Sequence, residues 1–449
     1  MMNFSTNSII SFIKKPLVLI VLFGLLIRFA LVPLAYDFDI YHWALTISNV
    51  NGGHNLYEID GYYYTPVWGY LLGAMSSVSE FFFNGLLGMR VTEILPIENL
   101  EWPYHIATIT TITFNLIVKI PLIICDVVVG YLIYWLIKDR TADTKKATIG
   151  FGLWFLCPIV IYMSSIQAQF DSFSALFLLL SIILLYKDKC FLGGMIFSLA
   201  VLLKFFPGFC IIIILAYVFV KYKENGLAKR KLLETILGIA LMSIILLLPV
   251  ILNGQFGSMM SFITGRTDGG IVNILTMAAA FFAIFMMFFL GRKMFQASKE
   301  DADRKLFAYI FITATTATLM SATPQYIIVA LPFMILYIVT VEKCYMKCWT
   351  IISVSAVATA LVHTNFSMFC SLAVYSGLVS PEWVIGCMQF LESGMGFNLI
   401  AILAFVNILI VIGVFMVLLF FFADDIKKIN PKLGNFFLKL KHGRDYNET

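Results

Sequence analysis

The sequence predicts an all-α polytopic membrane protein: a bundle of about 12 transmembrane helices, with a long first extracytoplasmic loop that contains an interfacial helix. Three observations predict it. Of 449 residues, 61% are hydrophobic and only 13% are charged, against about a quarter charged in a soluble domain. Apolar runs recur that approach the roughly 20 residues a spanning helix needs. Between them, lysines and arginines crowd into alternate connections. The runs are continuous rather than alternating, which argues against a closed barrel. No internal repeat is visible.

In chain order the spans read as residues 16–36, 109–137, 147–163, 170–186, 191–204, 206–221, 232–252, 271–291, 305–322, 326–341, 347–363 and 398–422. Lys14 and Lys15 precede the first run, which has no small-residue cleavage site, so it reads as an uncleaved anchor. Residues 37–108 form the first loop. Its apolar stretch 65–88 reads as an amphipathic helix in the interface, because a span there would place the basic segment "KDRTADTKK" outside. Pro207 and Gly208 break the chain between the fifth and sixth spans. On this reading 26 of the 31 lysines and arginines lie inside, Arg90 and Arg266 lie outside, and Arg28, Lys119 and Lys204 fall within spans. Both termini are therefore expected in the cytosol. Residues 1–423 are expected to form one membrane domain and 424–449 a basic cytosolic tail at the membrane surface. The eight cysteines are scattered, mostly in apolar runs, and read as buried thiols. Cys370 and Cys387 share one polar-bounded segment that allows a bridge.

A charge at mid-bilayer costs about 2.5–3.5 kcal/mol on insertion scales, so its retention calls for a reason. Arg28, Lys119 and Lys204 lie in the outer halves of their spans; Asp171 opens the fourth span from outside, and Asp126 lies deeper in the second. Asp37 and Asp39, in "AYDFDIYHW", follow the first span on the same side. Two readings stand. Either Asp126 pairs internally with Arg28 or Lys119, or the cations line a pocket open to the outer leaflet and suited to an anionic headgroup such as a lipid phosphate. Asp37 and Asp39 are flanking charge at a membrane boundary, or part of that pocket. Trp43, Tyr57, Tyr62, Tyr63, Tyr64, Trp68 and Tyr70 are an aromatic belt, or a surface that stacks on sugar rings. His42 and His54 have no metal-ligand spacing, and the aspartate pair is the one plausible anchor for a divalent metal.

The order of these features resembles a family. An acid pair follows span 1, then come "YYYTP", an Asp in span 2, "FDS" at span 4, a "KFFP" turn and "SATPQYIIVALP". This is similar to the GT-C superfamily of polytopic glycosyltransferases, with the motifs closest to the catalytic subunits of GPI mannosyltransferase I and to related prokaryotic mannosyltransferases. The resemblance runs over roughly residues 25–340, with residues 84–105 as an insertion. It implies that Asp37 and Asp39 are the catalytic DxD, with Asp37 as base and Asp39 orienting it or the acceptor. It implies substrate binding by Arg28, Tyr64, Lys119, Asp126, Asp171, Lys204, Gln325 and Tyr326.

The implied reaction moves a sugar, by the resemblance mannose, from a polyprenyl-phosphate or dolichyl-phosphate donor to an acceptor hydroxyl on the extracytoplasmic face. The leaving phosphate is already anionic, so one base suffices for a single displacement, and Arg28 and Lys204 would stabilise the phosphate. No cofactor and no metal are expected. The expected partners are the lipid-linked donor, a glycan, lipid or protein acceptor, membrane lipids and an accessory subunit, with no nucleic acid. The expected location is the plasma membrane of a prokaryote, or the ER membrane of a eukaryote. A transporter or lipid flippase is the rival reading, and a non-catalytic subunit of a glycosylation complex is the third.

Overall fold

The computed structural model describes residues 15–35, 37–58, 62, 64–83, 91–94, 108–265, 270–320, 323–363, 368–390, 395–396 and 398–442. Among the described residues the chain is helical, apart from one antiparallel pair formed by β1 (Val91–Ile94) and β2 (Thr108–Thr110). The first helix, α1 (Pro16–Leu31), starts on a proline, whose missing N–H costs nothing at a helix N-terminus. The expected first loop holds two helices, α2 (Asp37–Asn51) and α3 (Pro66–Phe83). The acid pair therefore opens a helix. The expected insertion at 84–105 lies mostly outside the described residues.

After β2 the chain enters α4 (Ile112–Thr141), capped by the Thr111 side chain, and α5 (Thr144–Phe155), capped by Asp143. Next come α6 (Pro158–Ser165), α7 (Asp171–Tyr186) and α8 (Cys190–Leu203). A 3-10 turn at Phe206–Cys210 leads into α9 (Ile211–Lys223), followed by α10 (Ala228–Leu252), α11 (Phe256–Gly265), α12 (Gly270–Phe295) and α13 (Lys299–Ala317). A second 3-10 turn, Pro324–Val329, precedes α14 (Leu331–Thr340). The chain continues through α15 (Met346–His363), α16 (Met368–Ser376), α17 (Pro381–Gln389) and α18 (Leu399–Phe421), and closes with α19 (Ala423–Ile429) and α20 (Pro431–His442).

The protein is a multi-pass membrane protein, but the expected dozen spans are too many. Every apolar run carries a helix. Among the described residues, however, only 6 helices are long and apolar enough to cross a membrane, or 7 if the bent pair α5–α6 is one span. Proline is the main cause. α1 stops at Leu31, two residues short of Pro33, and α5 and α6 meet at Pro158 with a bend of 49°. Pro324 and Pro332 divide the run 326–341 into a 3-10 turn and a ten-residue helix. α7 and α8 are 16 and 14 residues long. α13 opens on "KEDADRK", too charged for a span.

Residues 424–442 fold back onto the bundle rather than trailing from it. Lys441 Nζ reaches Glu342 at 2.7 Å and Lys293 Nζ reaches Asp425 at 2.8 Å. None of the eight cysteines is in a disulfide, so Cys370 and Cys387 form no bridge.

α8 and α10 cross in close contact. Gly194 faces the backbone carbonyl of Thr235, and Gly238 faces that of Phe191, so a Cβ at either glycine would collide with backbone. Ser198 and Ser243 hydrogen-bond across the same seam at 2.8 Å. Small residues and a polar contact are how helices associate in lipid, where burial alone gives no driving force. Gly194→Val or Gly238→Val should each destabilise the fold by about 1–3 kcal/mol or more. Thermal unfolding in detergent should show a fall of several degrees, and Gly193→Ala, against the flexible Leu185 side chain, should be milder.

Candidate functional site

Two joined polar networks lie inside the bundle. The inner one is built on Arg28 of α1 and Asp126 of α4, both with no exposed side-chain surface. Arg28 Nε and Nη2 both donate to Asp126 Oδ2 at 3.1 Å, and Nη1 donates to the Phe155 carbonyl at 2.7 Å. The Ser172 hydroxyl donates to Asp126 Oδ1 at 2.7 Å, and the Trp154 indole to the Asp126 carbonyl at 2.9 Å. The guanidinium also sits 4.0 Å above the Phe155 ring. Internal pairing is thus what the structure places here. Lys119, equally buried, donates to the carbonyls of Val32 and Leu34 at 2.8 and 2.6 Å. It satisfies carbonyls where the chain leaves α1, as cations do at helix C-termini.

The second network lies where α6 gives way to α7 in "SSIQAQFDS". Ala168 has a positive φ of 55°, which lets the chain reverse without helix. The Trp43 indole donates to the Ala168 carbonyl at 3.0 Å and anchors this segment to α2. Gln167 Nε2 donates to Asp39 Oδ2 at 2.7 Å. Asp171, the first residue of α7, lies 3.5 Å from Lys204 Nζ, and both are buried. The ammonium is ringed by Phe170 at 4.4 Å, Tyr64 at 4.8 Å and Tyr326 at 5.1 Å. Gln325 is buried beside Tyr326. Gln167 Oε1 and both amide atoms of Gln169 are buried with no hydrogen-bond partner among the described residues. Buried amides without partners are costly, which marks this buried cluster of polar side chains, here called the polar chamber, as the candidate site.

The "YYYTP" segment closes the chamber. Tyr57 Oη donates to the Tyr64 carbonyl at 2.7 Å, Tyr62 Oη to the Thr65 carbonyl at 2.6 Å, and the Thr65 hydroxyl to the Leu202 carbonyl. Burial pushes the Tyr57 and Tyr62 phenols up, so both stay neutral donors. Thr65 thereby ties the first loop to the end of α8, where Lys204 adopts an extended backbone before the Pro207 turn. The expected sugar-stacking or belt aromatics Trp43 and Trp68 do neither: they are buried at 1% and 0%, and Trp68 stacks on Phe170 at 4.7 Å.

Of the residues singled out from sequence, the structure gathers Asp39, Tyr64, Asp171, Lys204 and Tyr326 in one buried polar cluster, and Gln325 is the buried chain neighbour of Tyr326. Asp37 opens α2, but its side chain, like Tyr63, lies outside the described residues. Arg28, Lys119 and Asp126 are engaged in the inner network. Among the described residues no three His, Cys, Asp or Glu side chains gather as metal ligands. Gln167 and Gln169 were not anticipated. Their signal was two buried-side amides, "QAQ", inside an otherwise apolar stretch.

A family model described as PIG-U, GPI transamidase subunit PIG-U, matches residues 52–266, somewhat less than half of the chain. No curated protein and no solved structure matches. The match corrects the kinship expected from the motifs. It covers "YYYTP", Asp126, "FDS" and "KFFP", four of the motifs on which likeness to the GT-C glycosyltransferases and to GPI mannosyltransferase I rested, while Asp37, Asp39 and "SATPQYIIVALP" lie outside it. Mannose transfer from a polyprenyl-phosphate donor, the identification as a glycosyltransferase and its donor and acceptor partners fall with that kinship.

The inner network makes a direct prediction. Asp126→Ala strands a buried guanidinium and should cost about 3–5 kcal/mol. Arg28→Met combined with Asp126→Leu should recover most of that loss, as measured by thermal unfolding of the purified protein. Equal instability of the single and double variants would mean that the pair does not hold the fold.

Proposed function

We propose that this chain is a polytopic subunit of a GPI transamidase complex, which attaches GPI anchors to proteins, and that it resides in the ER membrane of a eukaryote. The observation that carries the proposal is the match to the PIG-U family over residues 52–266. That span contains Tyr64, Gln167, Gln169, Asp171 and Lys204, most of the chamber. Its partners are then the other subunits of the complex, the GPI lipid and the proprotein. Its part is to hold the glycolipid rather than to transfer mannose.

The chemistry of the chamber supports that part. A GPI headgroup is a polyol that carries phosphate. Lys204 supplies a cation, Asp39 and Asp171 accept hydroxyl hydrogens, and the Gln167 and Gln169 amides offer both functions in a desolvated site. Aromatic walls at Tyr64, Phe170 and Tyr326 suit sugar faces. A buried polar group that a ligand satisfies discriminates strongly against ligands that leave it unpaired.

The test is complementation in eukaryotic cells lacking their PIG-U subunit, with surface display of a GPI-anchored reporter as the readout. The wild-type chain should co-purify with the remaining transamidase subunits and restore display. Lys204→Ala should lower display about tenfold or more, the loss expected for truncating one partner of a buried charge pair. The double variant Lys204→Met with Asp171→Leu should fold and join the complex yet fail to restore display. Absence of the wild-type chain from the complex would overturn the proposal.

A further inference from the structure

A cavity lies among helices that the proposed function does not use. It has a volume of about 540 Å³ and is walled by α9, α10 and α12. α9 packs against both neighbours and forms the floor through Ile212, Leu215 and Phe219. Leu232 of α10 forms one wall and Phe288 of α12 the other. Phe219 and Phe295 stack at 4.8 Å and close the floor at one end.

That end is basic. α9 finishes on Lys221 and Lys223, α12 finishes on Arg292 and Lys293, and α10 begins with Lys229, Arg230 and Lys231. Several of these are neutralised: Lys221 pairs with Asp188, Arg230 and Lys231 with Glu234, and Lys293 with Asp425. Arg292, which lines the cavity, makes no ion pair among the described residues, nor do Lys223 and Lys229. The concentration of lysine and arginine assigns this end to the cytosolic leaflet.

We infer that this groove binds one anionic phospholipid of the cytosolic leaflet, with an acyl chain against Ile212, Leu215 and Phe288 and the phosphate at Arg292. Charge and size choose the occupant. A basic pocket between spanning helices at the cytosolic face fits an anionic headgroup. One turn of a partner helix, about 5.4 Å long and 10–12 Å across, displaces on the order of 500 Å³. The cavity would hold a single turn, not a span, whereas a slender acyl chain fits along it. Gln296, beside Arg292 on the lining, adds an amide for the headgroup.

The test reconstitutes the full chain in nanodiscs of phosphatidylcholine with a minor fraction of phosphatidylserine, then releases it for native mass spectrometry. One retained phosphatidylserine per chain is expected, enriched about fivefold over phosphatidylcholine, the gain one arginine gives an anionic lipid. Arg292→Ala should abolish the enrichment, and Arg230→Ala, outside the groove lining, should leave it. Leu215→Trp, which fills the floor, should remove the bound lipid of either class while the protein stays monodisperse. No class preference in the wild type, an equal loss in Arg230→Ala, or retention in Leu215→Trp would each overturn the inference. So would displacement of the lipid by a partner subunit's helix cross-linked to residue 215.

Discussion

A charge with no exposed surface inside an apolar bundle must find its opposite, and Arg28 finds it in Asp126, ninety-eight residues away. The cost of an unpaired ion in that setting is several kcal/mol, so the pair is a registration device as well as a contact. It fixes α1 against α4. Through the Phe155 carbonyl it fixes α1 against the end of α5, and through Ser172 it fixes the first turn of α7. The neighbour of Ser172 is Asp171. The position of the Asp171–Lys204 pair therefore depends on the Arg28–Asp126 salt bridge. Lys119 works in the same way on α2: by holding the Val32 and Leu34 carbonyls it sets where α1 ends and where the helix bearing Asp39 begins.

The polar side chains of the chamber converge because the helices around them are broken. Irregular backbone at membrane depth is tolerated where it is buried in protein or lines a cavity. The α6–α7 connection, the Lys204–Pro207 turn and the 3-10 turn at Pro324–Val329 are three such breaks, and Phe206 lies against Tyr326 at 4.2 Å to join two of them. A chain built only of full-length spans would have no place for Gln167, Gln169, Asp171 and Lys204 to converge. The same breaks explain why fewer helices cross the membrane than the apolar runs suggest.

Much of this was legible in the sequence. Helices fall on every apolar run, and the residues flagged by the cost of their charge, Arg28, Lys119, Asp126, Asp171 and Lys204, are all buried and partnered. What escaped had physical causes. Hydropathy reports apolarity, not the length of helix that survives a proline, so Pro158 and Pro324 turned continuous runs into short pieces. Charge cost reveals that a residue matters but not whether it serves the scaffold or a ligand. Arg28 and Lys119 donate to Asp126 and to the Phe155, Val32 and Leu34 carbonyls within the bundle. The uncharged amides of Gln167 and Gln169 carried no such signal, although they leave three buried polar atoms without a hydrogen-bond partner among the described residues. The motif order resembled a glycosyltransferase because most of the motifs are no more than five residues long, and a pair such as Asp37 and Asp39 recurs by chance.

The central claim is that the chamber between α2, α7 and the end of α8 receives a GPI glycolipid. The most direct measurement places a photoactivatable amino acid at Tyr326, illuminates native membranes and identifies the adduct by mass spectrometry. The account predicts a GPI precursor covalently attached at residue 326 and none when the same probe replaces Leu433 of α20. Equal labelling at the two positions, or capture of bulk phospholipid alone at residue 326, would contradict it.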